Sequence, residues 1–187
     1  MSLVKADTLS KKEIVLGVTA SIAAYKACEI IRSLKEEGFG VTVIMTEEAG
    51  EFITPLTLAG LSRNKVYSRM FSDPEDWEIE HISLADKADL ILIAPATANI
   101  IAKLACGLGD DLLSSCVLAA QAPVLIAPAM NFNMFRHKLT QENIAKLKKI
   151  GYKFIGPEKG KLADGRIGIG HLASVEEIVK EAKKVLK

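Results

Sequence analysis

Surplus charge is the first thing this sequence does without. Its 24 basic residues stand against 23 acidic ones, which leaves no electrostatic footprint for nucleic acid or an acidic membrane surface. Cysteine is scarce as well. Cys28, Cys106 and Cys116 are odd in number, lack metal-ligand spacing and lie in apolar or helical surroundings, so they read as reduced core thiols of a cytosolic protein. No apolar run approaches the length of a membrane span. The first dozen residues, MSLVKADTLSKK, hold no continuous apolar stretch that could serve as the core of a signal peptide. Residues 1–12 therefore read as a tail outside the fold. Aromatic residues are few, at 5% of the chain, and no low-complexity block or long repeat is present.

What the chain does have is a size of 187 residues and a composition 49% hydrophobic, enough for one self-sufficient core. Short β-rich apolar runs alternate with helical patterns, the signature of βαβ units and a parallel sheet buried on both faces. The expected fold is a single α/β domain over residues 13–187, a doubly wound, mostly parallel sheet of the Rossmann or flavodoxin-like three-layer kind. Strands are predicted over Glu13–Thr19, Val41–Thr46, near Val66, through DLILIAPA, over Pro123–Ala129 and near Tyr152–Ile155. Ala23, Ala27, Ile30, Ile31 and Leu34 fall at helical spacing, with Gly38 placed to end that helix. The last helix is clear from its capping box, Ser174 with Glu177, and its apolar face of Val175, Ile178, Val179, Ala182, Val185 and Leu186. Between them KGKLADGRIGIGHLA carries closely spaced glycines and reads as a flap over about 158–173, an ordinary surface loop being the alternative.

In an open parallel α/β sheet ligands bind beyond the carboxyl ends of the strands. Four such places are rich in small or hydrogen-bonding residues: Thr19–Ile22, Thr46–Glu48, Pro95–Ile100 and Pro128–Asn131. GVTASIAAYK lacks the GxGxxG spacing of the dinucleotide fingerprint. Its hydroxyls, Thr19 and Ser21, with the free amides of a helix start, suit a single phosphate better than a pyrophosphate. A mononucleotide is thus favoured over a dinucleotide, although both hydroxyls could serve only as caps. APATAN puts Thr97 and Asn99 at a second helix start. Capping does not explain why a proline–alanine turn and polar residues follow each of two buried strands, in APATAN and APAMN. His81 precedes a helix leading into the strand that ends at Pro95, and imidazole is the obvious base for proton chemistry there. A capping or surface role is its plain alternative, and His137 and His171 take that plain reading more strongly.

Taken together, GVTASIAAYK, MTEEAGEFITPLTL, HISLADKADLILIAPATANIIAKLACGLGDDLLSS and APAMNFNM resemble the homo-oligomeric flavin-containing cysteine decarboxylases, above all those of coenzyme A biosynthesis. The resemblance runs from about Lys12 to the end. It implies FMN as cofactor, with its phosphate held by Ser21, Ile22 and Ala23 beside Thr19, and with Thr46 and its neighbour Glu48 helping. Thr97, Ala98, Asn99 and Ile100 would line the flavin and Ala129 would touch its rings. His81 would be the catalytic base, Asn131 would hold the carboxylate of the substrate's cysteine, and Met130 would shape that pocket. The implied reaction is decarboxylation of phosphopantothenoylcysteine to phosphopantetheine by a cytoplasmic homo-oligomer, a trimer or multiple of trimers. One departure matters. Coenzyme A members carry a flap cysteine within an ACGD-like motif, whereas this chain reads ADGR and sets Asp164 there. A carboxyl group ordinarily titrates near ~3.9, so Asp164 would need burial or a like-charged neighbour to act as an acid. Failing that, the reaction would halt at the enethiol, as in peptidyl-cysteine decarboxylases. A flavin-binding regulatory module without turnover is the reading from another class, while the flavin prenyltransferases share the fold without the pairing of His81 and PAMN.

Overall fold

The computed structural model describes residues 11–70, 79–161 and 165–187. β1 (Glu13–Val18) lies at the centre of a six-stranded parallel sheet with β2 (Gly40–Met45), β3 (Val66–Tyr67), β4 (Leu90–Ala96), β5 (Val124–Pro128) and β6 (Lys153–Phe154). The order is β3-β2-β1-β4-β5-β6. Every residue of β2, β4 and β5 is buried, which is why those runs are apolar but for Thr42, whose hydroxyl donates to the Glu13 carboxylate at 2.6 Å: a parallel sheet has helices on both faces and no wet side.

Side-chain alternation splits the core in two. Ile14, Leu16 and Val18 of β1, with Leu90, Leu92 and Ala94 of β4, face one apolar cluster, built by α1 (Ala27–Glu36), α2 (Pro55–Ser62) and α8 (Val175–Val185). Val15, Ile91 and Ile93 face the other, covered by α3 (Glu80–Lys87), α4 (Ala98–Cys106), α5 (Leu112–Ala119) and α7 (Lys138–Lys149). The caps follow from sequence. Thr54 and Ser174 each accept a bond from the amide three residues on, and Asp111 closes a capping box with Ser114. Gly38 and Gly107 end α1 and α4 with φ of 90° and 68°, values a glycine adopts without strain.

The predicted doubly wound sheet is the observed one, with strand ends shifted by a residue at β1 and β2. Three expectations change. The single first helix is a 3-10 turn over Ile22–Lys26 followed by α1. The flap segment contains an antiparallel hairpin, β7 (Glu158–Lys161) and β8 (Ile167–His171), with Glu158 opposite His171 and Gly160 opposite Gly168. Of the three thiols only Cys116 is in the core; Cys28 is half-buried and Cys106 is exposed at the end of α4, and all three are free. Asp164 and most of the predicted tail lie outside the described residues. No helix among the described residues is long and apolar enough to cross a membrane.

Candidate functional site

The sheet order reverses direction between β1 and β4, so the turns after these strands splay apart and leave a crevice. Thr19 builds its floor. Its hydroxyl donates to the Pro95 carbonyl at 2.7 Å and accepts from the Thr97 amide at 3.1 Å, and the residue is 1% exposed. The hydroxyl expected to hold a phosphate is thus occupied in tying the two turns together. Its neighbour Ser21 faces outward as the cap of the 3-10 turn, accepting from the Ala23 amide at 3.3 Å and donating to the Ala129 carbonyl at 3.5 Å. On the far side, the Ala129 amide bonds to Ala96 and the Met130 amide to the carbonyl of Gly170, both at 3.0 Å. The hairpin is therefore held against the turn that follows β5.

These turns enclose a cavity of about 530 Å³ lined by Ser21, Tyr25, Lys26, Thr97, Asn131 and His171, with Ala129, Met130 and other small or apolar groups between them. No carboxylate is among the described residues lining it. Asn131 caps the short α6 (Phe132–Arg136), its Oδ1 accepting from the Asn133 amide at 2.9 Å, and Thr97 caps α4 by accepting from the Ile100 amide at 3.4 Å.

A second cavity, of about 490 Å³, opens at the carboxyl ends of β2 and β3 and is lined by Thr46, Glu48, Arg69, Lys103, Asp110 and Asp111 among others. Lys103 Nζ bridges the carboxylates of Asp110 at 2.8 Å and Asp111 at 2.6 Å. Burial pushes the Asp111 carboxyl upward, but the bonds from Lys103 and from the amide and hydroxyl of Ser114 outweigh it and hold the group below its ordinary value. Burial alone would lower Lys103; its two carboxylate partners leave it raised.

The sequence-predicted residues divide between these places. Ser21, Ile22, Ala23, Thr97, Ala129, Met130 and Asn131 converge on the first cavity. Thr46 and Glu48 line the second. Ala98 and Asn99 sit on the first turn of α4 without lining either, and Ile100 is 2% exposed, packed in the core. His81 stands half-buried in the first turn of α3 and lines neither cavity. Sequence reasoning passed over Tyr25 and Lys26, and gave His171 only a plain capping or surface role. The first two follow Ser21 by four and five residues, and His171 belongs to the predicted flap; those two placements were the available signals.

The donor set suits a phosphate-bearing flavin. Thr46, at the edge of the second cavity, adds an observation: its Oγ1 is buried and has no hydrogen-bond partner among the described residues, one position beyond the Val18–Met45 pair that sets it beside Thr19. An unpaired buried hydroxyl is costly unless a ligand completes it. Ser21 and the amides of the turn it caps can receive an anion, and the Ala129–Met130 turn offers an apolar face to a ring.

Comparison with known proteins gives the chain a family. The family model described as Flavoprotein matches residues 3–187. A protein of Bacillus subtilis named coenzyme A biosynthesis bifunctional protein CoaBC is 49% identical over 94% of this chain, which spans only 43% of that relative's length. A Streptococcus mutans protein named probable phosphopantothenoylcysteine decarboxylase is 46% identical over 94% of this chain and 99% of its own. Among solved structures, a PPC decarboxylase mutant complexed with pantothenoylaminoethenethiol superimposes with a TM-score of 0.83 at 29% identity, covering 93% of this chain and 97% of that one. The FMN-dependent cysteine decarboxylase SpaF gives 0.81 at 27% identity over 94% and 98%.

Proposed function

Because this chain belongs to the Flavoprotein family, we propose that it binds FMN and decarboxylates the cysteine moiety of phosphopantothenoylcysteine to give phosphopantetheine. The observation that carries this reading is the carboxylate-free crevice at the switch point, where the turns bearing Ser21, Thr97 and Ala129–Asn131 meet. It offers hydroxyls and amides to a phosphate, an apolar wall to a ring and an amide side chain to a carboxylate.

The chemistry needs all three. A carboxylate beside a saturated carbon has nowhere to send its electron pair, so carbon dioxide cannot leave until the neighbouring carbon–sulfur bond becomes an acceptor. FMN supplies the two-electron acceptor for that oxidation and returns the pair at the end. The chain's own residues do the rest. Asn131 holds the substrate carboxylate, while Met130 and Ala129 keep water from the reacting carbons. His81 removes the thiol proton during oxidation. Loss of carbon dioxide then leaves an enethiol, and saturating it requires a proton, the task for which Asp164 stands in the place of a cysteine.

His81 is not among the residues that line this crevice, and a second copy of the chain would bring it there. The reading therefore includes a homo-oligomer, in which α3 of one copy meets the cavity of its neighbour. In support, Ile79 and Ile82 on either side of His81 are 57% and 43% exposed, more apolar surface than a solvated helix start needs.

Mass spectrometry of the product formed from phosphopantothenoylcysteine is the test. Saturated phosphopantetheine, released without added reductant, is expected. An enethiol lighter by a pair of hydrogens would mean that Asp164 does not replace the cysteine and that the oxidative reading holds instead. A protein that binds FMN and leaves every cysteine substrate intact would end both.

A further inference from the structure

We infer that His171, acting with Lys26, forms the subsite that recognises a phosphate monoester on the substrate, and so sets specificity for a phosphorylated over a non-phosphorylated cysteine amide. The inference rests on the reading above. It starts from the distribution of charge in the first cavity. Among the described lining residues the only groups able to carry positive charge are Lys26 and His171, with the Tyr25 phenol beside them. Ser21 and Lys26 are the cap and the last residue of the 3-10 turn Ile22–Lys26, so at about 2 Å per residue they stand roughly 10 Å apart along the wall. The hydroxyl-and-amide end and the cationic end are therefore separate places.

Lys26 and His171 come from different elements yet converge. Both act electrostatically on the carboxylate of Glu158, which pairs with His171 across the hairpin. Glu158 does not line the cavity. One of its oxygens accepts from the Ser174 amide at 2.8 Å, and that bond, a hydrogen bond with Glu177 and the nearby His171 and Lys26 side chains hold it below its ordinary value despite some burial. Its charge is thus pinned at the start of α8, behind the imidazole.

The orientation of the ring completes the case. His171 Nδ1 lies 2.9 Å from the Leu172 carbonyl, a contact in which the ring nitrogen donates. With Nδ1 engaged on the backbone, Nε2 is the atom left for a ligand, and a phosphate monoester that shares a proton with it would meet a ring donor beside an ammonium. The proposed chemistry brings three anions to the protein, the cofactor's phosphate, the substrate's carboxylate, which the reading gives to Asn131, and the substrate's phosphate. Ser21 and its amides serve the first; the last belongs at the far end, at the base of the hairpin, where a long substrate would leave the crevice.

The FMN-loaded protein should be compared with H171Q and K26M on phosphopantothenoylcysteine and pantothenoylcysteine. For the phosphorylated substrate each variant should raise KM about tenfold with little change in kcat, while KM for pantothenoylcysteine stays put; H171R should recover the preference. Calorimetric titration with phosphopantetheine and pantetheine gives the same comparison without turnover, so a protein that discriminates between these ligands but converts nothing would refute the proposed reaction and leave the subsite standing. Equal losses on both substrates would reduce His171 to a structural part of the hairpin and overturn the inference. A drop in FMN affinity, read from flavin fluorescence, with discrimination intact would assign the pair to the cofactor's phosphate and overturn it equally.

Discussion

The hydroxyls of Thr19 and Thr46 stand side by side at the ends of neighbouring strands, and their surroundings give them opposite work. Thr19 is satisfied in both directions by backbone, whereas Thr46 Oγ1 is buried without a partner among the described residues. Replacing Thr46 by valine should leave the flavin-free protein within about 1 kcal/mol of its original stability, since an unsatisfied group is being removed. FMN affinity should fall about tenfold, the worth of one hydrogen bond to a charged group. Thermal melts without flavin and a fluorescence titration with it check the two halves. Asp111 provides a pH-dependent case. Its folded-state value lies below the ordinary 3.8, so its contribution is present above that value and is lost as pH falls through the depressed one. D111A should cost about 1 kcal/mol near neutrality through loss of the α5 cap, and urea melts at falling pH should show wild type and variant converging below roughly pH 4.

Elements differ in how plainly the sequence announces them. The four long central strands are continuous apolar runs because both faces are covered, and α8 shows a clean apolar stripe; each was readable without a partner. β3 and β6 are two residues long, too short for periodicity, and the sequence placed each only approximately, near Val66 and near Tyr152–Ile155. The β7–β8 hairpin was hidden for another reason. Ile167 and Ile169 do alternate with glycine, but they point outward, 73% and 45% exposed, so the pattern reads as a loop with stray hydrophobics. Its glycines answer to packing against a neighbour. A methyl group on Gly170, where φ is 156°, would stand 2.1 Å from the Met130 carbonyl oxygen. G170A should therefore destabilise the protein by roughly 1–3 kcal/mol and depress turnover more than FMN binding, since it pushes the hairpin off the turn that carries Asn131. Melting curves alongside flavin titration and steady-state kinetics would register the difference.

At the scale of the whole molecule the sequence led to the crevice beyond the strand ends, because strand order and buried strands determine where it opens. It could not place His81. A histidine at a helix start looks the same whether it faces its own sheet or a neighbour's, and only the three-dimensional arrangement shows it away from both cavities. The proposed assembly makes a sharp expectation: H81N and N131A, each inactive alone, should regain about a quarter of wild-type site activity, within the order of magnitude, when mixed under exchange conditions, because copies with separate defects would assemble some intact sites. Persistent inactivity in mixed oligomers, verified by native mass spectrometry, would show that each copy must furnish both residues itself.

The main-chain bond between the Met130 amide and the Gly170 carbonyl couples the hairpin to the reaction in a further way. On the proposed reaction, a cover fastened to the turn that carries Asn131 would not be an independent door: its displacement would drag on the backbone that orients that side chain. Letting product out and loosening the grip on a carboxylate would then be a single event, and loss of carbon dioxide midway would remove one of the forces holding the door shut.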